Sequence, residues 1–311
     1  MNKFVAVALL LITTFFWGIT FTVVKEAVSR VDVYVFLAQR FTLAFVLLFG
    51  YSLARRPLPS GRAVRDGIVL GIFLFAAFAF QTVALLSTSA SNTGFLTGLN
   101  VVFVPIIAAL AFRQPIPFNV KLAVTFAVTG LYLLCTNGTW SSFNQGDLLA
   151  AICAVCVALH LLLTSHFARR SDSDIYWLTT LQIGTVAALS IVTATATHHS
   201  VIDFHREILP ALLICSLFAT VFAFLVQTSM QRYISPTHTA LIFCTEPVFA
   251  AIYAHVAAGE RLGSVGYMGS VLIITGMILS EIIPNGNHEP VPTREQSSSA
   301  ASGALSDPDI P

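Results

Sequence analysis

Ten apolar stretches, each long enough to cross a ~30 Å hydrocarbon core as a helix, follow one another along nearly the whole chain. They lie near residues 4–24, 33–53, 66–86, 93–112, 119–136, 147–167, 175–195, 208–229, 236–257 and 264–283. The runs are continuous rather than alternating, which calls for membrane helices and not a β-barrel. Charged residues are 10% of the chain and hydrophobic residues 56%. A soluble domain has about 25% charged residues, so no water-soluble fold hides this much apolar surface. The lipid bilayer is the solvent the composition demands. The net charge of +1 offers nothing to a nucleic acid.

Short connections carry the breakers. Arg55-Arg56-Pro57-Leu58-Pro59 follows span 2, Pro115 and Pro117 follow span 4, and Asn137-Gly138 follows span 5. Ser235-Pro236 opens span 9, serine as cap and proline at the first helical position. The first apolar run ends without a clear small-residue cleavage site and is read as a retained span, not a signal peptide. Residues 285–311, rich in Ser, Ala, Pro and acidic side chains, are expected to be a disordered cytoplasmic tail. With the N-terminus inside, the cytoplasmic side holds Lys3, Arg55, Arg56, Arg62, Arg65, Arg113, Lys121, Arg169, Arg170, Arg232 and Arg294. The other side holds only Lys25, Arg30, Arg206 and Arg261. The positive-inside rule then puts both termini in the cytoplasm, in the inner membrane of a cell that has one. Asn137-Gly138-Thr139 has the form of a glycosylation sequon but sits too close to a span to count as a site.

The chain also repeats itself. At an offset of 146 residues Ala77-Phe78 meets Ala223-Phe224, Gln81-Thr82 meets Gln227-Thr228, Ser89 meets Ser235, Thr93 meets Thr239, and Gly130 meets Gly276. The polar and glycine matches carry the comparison, since apolar helices match by chance. Spans 3–5 thus recur as spans 8–10. A five-span unit repeated once must enter the membrane from the opposite side, so an inverted pair is expected, residues 1–145 and 146–284. The expected fold class is an all-α membrane protein of ten transmembrane helices in two inverted five-helix repeats. Such a pair has two similar-energy arrangements, one open to each side, as alternating access requires.

Residues 15–28 (FFWGITFTVVKEAV), LAQRF in span 2, residues 89–110 (SASNTGFLTGLNVVFVPIIAAL) and residues 239–262 (TALIFCTEPVFAAIYAHVAAGERL) resemble the EamA family of the drug/metabolite transporter superfamily, as does the glycine-rich span 10. The resemblance runs from about residue 4 to 284. Its most specific part is span 9, with an acidic residue and proline mid-helix and Gly-Glu-Arg at the end. Span 4 departs from that pattern, with Asn100 at the acidic position and Gln114 where the second half has Glu260. The resemblance implies a ten-helix bundle with a cavity between the repeats, and a transporter, most often an exporter, of amino acids, metabolites or drugs.

Intramembrane polar residues are the candidate site. Glu246 lies mid-span, where an ionised carboxylate costs roughly 2.5–3.5 kcal/mol on insertion scales. It is the candidate solute ligand and proton-coupling group; its competing role is to lock helix packing, through Arg40 or a histidine. Thr239, Glu246 and Tyr253 are spaced by seven and share a face. Thr93, Thr97 and Asn100 are the matching stripe in the first half. Gln81 and Gln227, a repeat pair, offer donor and acceptor to a polar solute or to each other's helices. Trp17 either stacks a solute or packs; Arg40 snorkels, pairs with Glu246 or meets an anionic solute. His160 is a further solute-site candidate. His160, His238 and His255 are candidates for a proton relay, against the plainer role of hydrogen-bonded wedges. Glu260-Arg261 reads as a helix-end ion pair of little energetic weight. Gly18 and the pairs Gly67–Gly71, Gly94–Gly98 and Gly269–Gly276 read as close-packing positions.

No sequence pattern calls for a cofactor or metal. Cys153 and Cys156 form a CxxC without further ligands, and all five cysteines fall in apolar runs. An intramembrane enzyme would need a clustered constellation that the sequence lacks, and the pair His198-His199 has no neighbour of that kind. A sensor or assembly factor would be expected to carry a sizeable soluble domain.

Overall fold

The computed structural model describes residues 3–88, 90–113, 115–136, 144–197, 200, 206–258 and 263–282. The expectations for Gln114, the 137–139 sequon, His198-His199, Glu260-Arg261, the side chain of His255 and the 285–311 tail fall outside them. Among the described residues the secondary structure is all helical. The α-helices are α1 (Lys3–Val28), α2 (Val33–Arg55), α3 (Gly61–Ser87), α4 (Ala90–Gly98), α5 (Asn100–Phe112), α6 (Phe118–Thr136), α7 (Gln145–Ala168), α8 (Ile175–Ala196), α9 (Leu209–Ser216), α10 (Ala223–Met230), α11 (Pro236–Phe243), α12 (Glu246–Ala258) and α13 (Ser264–Ile282). A 3₁₀ turn, Arg206–Ile208, leads into α9, and a π-helical turn, Leu217–Phe222, joins α9 to α10.

The helices start where the sequence supplies a side-chain acceptor for the orphan N–H groups of the first turn. Asp32 accepts from Tyr34 N and Val35 N at 2.9 and 3.2 Å. Asp174 caps α8 through Tyr176 N and Trp177 N, and Ser60 caps α3. Asn144 and Asp147 form a capping box at α7. Ser235 caps α11, with Pro236 next.

Among the described residues, eight helical segments are long and apolar enough to cross a membrane, counting α4–α5 and the run from Arg206 to Met230 as one each. The ninth and tenth apolar stretches differ. Stretch nine is split into α11 and α12, and the apolar part of α13 is the shorter Ser264–Ser280. The chain is a multi-pass membrane protein whose surface fits that solvent. Phe4, Val46, Leu110, Phe118, Val192 and Val271 are exposed, while Thr13, Thr14, Thr93, Thr179, Gln182 and Thr228 are buried.

Packing pairs α6 with α13, α2 with α8, α3 with α7 and α8, and α1 with α12 and α10, while α4 and α5 lie on α7. Close approach depends on missing side chains. A Cβ on Gly130 would lie 2.6 Å from Gly269 O and 2.8 Å from Ile273 N. A Cβ on Gly276 would lie 2.8 Å from Ala123 O and 3.1 Å from Ala127 N. These two contact sets exchange under the 146-residue offset, Ala123 with Gly269 and Ala127 with Ile273. Gly18 lets α1 touch the start of α12, where its Cβ would sit 2.7 Å from Glu246 O. Gly67 and Gly71 admit Leu181 and Thr185 of α8 in the same way.

Candidate functional site

Stretches four and nine, expected as unbroken helices, are each interrupted at matching positions. The first break lies at Leu99, between α4 and α5; the second lies at Cys244-Thr245, between α11 and α12. Asn100 and Glu246, which correspond at the repeat offset, are the first residues of the two following half-helices. The breaks also meet: Cys244 Sγ approaches Gly98 O at 3.8 Å, and these two residues are themselves 146 apart. An interrupted intramembrane helix exposes backbone and side-chain polar groups only where they face protein or a cavity.

A central cavity of about 110 Å³ opens there. Of the residues singled out in the sequence, Trp17, Arg40, Gln81, Thr97, Asn100, His160, Gln227 and Glu246 line it. Thr93, Thr239, Tyr253 and His238 do not. Thr93 and Thr239 are fully buried, and the Thr239 hydroxyl donates back to Ser235 O at 3.0 Å. His238 Nε2 donates to Ser280 O at 2.7 Å and Nδ1 faces Ser235 Oγ at 2.7 Å, which ties α11 to α13. Tyr253 is half-buried on α12.

Glu246 is half-buried, opens on the cavity, and has no hydrogen bond or ion pair among the described residues. It does not pair with Arg40. The Arg40 side chain, 3% exposed, instead donates from Nε to Thr220 Oγ1 at 2.9 Å and from Nη2 to Ala219 O at 3.2 Å. Its guanidinium also lies 4.9 Å from the Phe78 ring centre and 5.2 Å from that of Phe41, at cation–π distance. Trp17 Nε1 donates to the same Ala219 O at 2.9 Å. The Trp17 ring meets Phe243 edge-on at 4.9 Å and Phe224 at 5.6 Å, so an aromatic wall lines one side.

The buried polar groups divide into satisfied and open. His160 Nε2 lies 2.8 Å from the Gln182 amide oxygen, which only accepts, so Nε2 carries the proton. Gln182 passes the chain on to Thr228 Oγ1 at 3.2 Å. Asn100 gives its amide N–H to Thr97 O at 2.8 Å, and Gln227 gives its own to Gln231 at 3.3 Å. The side-chain oxygens Asn100 Oδ1 and Gln227 Oε1 have no donor among the described residues. An unsatisfied buried acceptor costs about 1–3 kcal/mol, so these two oxygens, on residues that line the cavity, are acceptors in want of a donor within the described structure.

Several lining residues were not singled out as site residues: Thr82, Cys153 and the aromatics Phe78, Phe224 and Phe243. Phe78 and Phe224 were legible as a repeat pair, as were Thr82 and Thr228. Thr220, which touches Arg40, carries no sequence signal, because its role depends on the π-turn.

The sequence profile of the EamA-like transporter family matches twice, over residues 4–136 and 144–282. An uncharacterized transporter from Archaeoglobus fulgidus is 31% identical over 265 residues, 85% of this chain and 81% of its own length. The uncharacterized transporter YyaM of Bacillus subtilis is 25% identical, covering 91% of this chain and 94% of its own. A chloroplastic WAT1-related protein of Arabidopsis thaliana is 23% identical over 88% of this chain. One solved crystal structure shares the fold with a TM-score of 0.73 at 18% identity, covering 90% of this chain and 97% of that one. By profile, by relatives and by its multi-pass helical architecture, the chain belongs to the EamA-like transporter family, within the drug/metabolite transporter superfamily.

Proposed function

We propose that this membrane transporter is a secondary active exporter of small organic solutes working by alternating access. Its ten spans form two inverted five-helix repeats, residues 1–145 and 146–284, with both termini cytoplasmic and protons as the coupling ion. The observation that carries the proposal is the cavity at the meeting point of two interrupted helices, with Asn100 and Glu246 at equivalent positions on its wall. Interrupted segments at corresponding places in two halves are where inverted-repeat transporters hold their solute. The exchange of Gly130 and Gly276 contacts across α6 and α13 supports a two-fold relation between the halves. In the mechanism, Glu246, Asn100, Gln81, Gln227, Thr97 and Trp17 offer solute contacts, and Glu246 exchanges a proton with solute occupancy.

The arginine-rich end of the bundle supplies the gate facing the cytoplasm. Asp66 at the start of α3, nearly buried, pairs with Arg170 beyond α7 and with Arg65 at 3.0 Å. Arg62 pairs with Asp172 at 3.0 Å, and Arg232 donates to the carbonyls of Ala168 and Ser173. Asp66→Asn weakens this closure. Alkylation of the cavity residue Cys153 by an impermeant reagent from the Arg170 side is expected to rise by roughly threefold to tenfold, read by peptide mass spectrometry. An unchanged rate removes Asp66 from the gate.

The function itself is tested by overproducing the chain in cells and profiling metabolites inside and outside. The solute found is then followed in proteoliposomes with an imposed proton gradient. Depletion inside with accumulation outside, and gradient-driven flux of that solute, are expected. No solute moved by the purified protein overturns the proposal.

A further inference from the structure

Arg40 poses a physical problem that the protein alone does not solve. It is the cation on the cavity wall, and no carboxylate pairs with it among the described residues. A buried charge in a membrane protein is costly unless paired. Its partners in the fold are neutral: one hydroxyl, one carbonyl and two ring faces. Of the five guanidinium N–H groups, two are committed, and Nη1 makes no hydrogen bond among the described residues.

The orientation of this cation is built with some care by one irregular turn. Between Leu217 and Phe222 the helix is π-wound, so Thr220 Oγ1 reaches the carbonyl of Cys215, five residues back, at 2.8 Å. A hydroxyl has one proton to give. Spending it on Cys215 O turns the lone pairs of Thr220 Oγ1 toward Arg40 Nε–H. The Ala219 carbonyl in the same turn accepts from both Arg40 Nη2 and Trp17 Nε1. Ser216 Oγ donates to the backbone carbonyl of Arg40 itself at 3.0 Å. The turn and the last residue of α9 therefore hold the arginine at both its head and its backbone.

Resting on the transport function proposed above, we propose that Arg40 anchors an anionic oxygen group on the solute, and that Thr220 is the positioning residue that aims the guanidinium. The free edge of the guanidinium supplies paired N–H donors to a carboxylate or a phosphonate-like group. Trp17, Phe78, Phe224 and Phe243 supply an apolar wall beside it. A small organic anion with an apolar body satisfies both features.

The test uses three probes that share a benzyl body on the purified full chain: phenylacetate, its neutral near-isostere phenylacetamide, and benzylphosphonate. Binding is read by the probe-dependent rise in melting temperature, and phenylacetate counterflow is read in proteoliposomes. The wild type is expected to bind at least one anion about tenfold more tightly than the amide, the worth of one charge-assisted hydrogen bond. Phenylacetate alone, benzylphosphonate alone, or both identify which oxygen group the arginine takes. Thr220→Val is expected to reduce the anion-over-amide ratio by about tenfold, and Thr220→Ser, which keeps the hydroxyl, to restore it. A purely structural role for Thr220 would lower the ligand-free melting temperature without changing that ratio. Should Thr220→Val not fold, Arg40→Lys carries the test, since it keeps the charge and loses the fork; the same fall in ratio is expected. Equal binding of anion and amide, or a Thr220→Val (or Arg40→Lys) ratio equal to wild type, overturns the inference. A protein that moves a neutral or cationic metabolite in the efflux profile yet binds neither anion overturns this inference alone. A protein that binds the anions but moves no solute overturns the transport proposal alone.

Discussion

Glu246→Gln is expected to cut solute flux in proteoliposomes by at least about tenfold and to flatten its dependence on pH, while the protein still folds and inserts. The substitution is nearly isosteric, so it leaves the α1–α12 contact beside Gly18 intact. Glu246 holds no hydrogen bond or ion pair within the described structure, so no packing interaction is lost with the charge. What changes is the ability to take up and release a proton on the cavity wall. The size of the effect follows from removing one hydrogen bond to a charged group, worth about 1.5–3 kcal/mol. The carboxylate's alternative role as a packing lock makes the opposite forecast: lower melting temperature and ordinary transport per folded molecule. Flux, pH profile and thermal unfolding measured on the same preparation separate the two. Unaltered flux with an unaltered pH profile removes Glu246 from the mechanism.

Gly130→Ala is expected to destabilise the fold by about 1–3 kcal/mol or more, seen as a lower melting temperature and less monodisperse protein. The added methyl would meet Gly269 O and Ile273 N, which belong to a backbone that cannot turn aside as a side chain can. The helices α6 and α13 must move apart, and their whole contact loosens. Gly276→Ala meets Ala123 O and Ala127 N in the mirrored arrangement, so a similar loss is expected from it. Penalties of the same order at these two positions are what a two-fold relation between the halves predicts, the larger at Gly130, where the contacts are tighter. Gly50→Ala is the control, because nothing lies within 4 Å of a Cβ there. It is expected to be neutral or to stabilise by up to about 1 kcal/mol through helix propensity. A neutral Gly130→Ala would mean that α6 and α13 do not approach as closely as described.

Much of this molecule was legible in the order of its residues. Continuous apolar runs impose helices because a bilayer offers the backbone no hydrogen-bond partners. Asp32, Ser60, Asn144, Asp174 and Ser235 mark helix starts by chemistry that acts within three residues. The repeat and the intramembrane position of Glu246, Asn100, Gln81, Gln227, Trp17, Arg40 and His160 needed no coordinates, and those side chains do converge on one cavity. Thr239 and Tyr253, placed beside Glu246 by a seven-residue spacing, do not line it. For Thr239 that spacing assumes an unbroken helix, whereas the break at Cys244-Thr245 separates it, on α11, from Glu246 on α12; Tyr253 shares α12 with Glu246 but lies two turns further along it. The pairing of Arg40 with Glu246, one of the roles left open for each, is not made; Arg40 instead meets a carbonyl and a hydroxyl in a π-turn that no local pattern announces. Local composition determined what is helical and what is polar, since solvent and backbone act on each segment separately. Which polar groups are satisfied and which face an empty space was decided only when distant helices packed, because that depends on the angle and depth at which they cross.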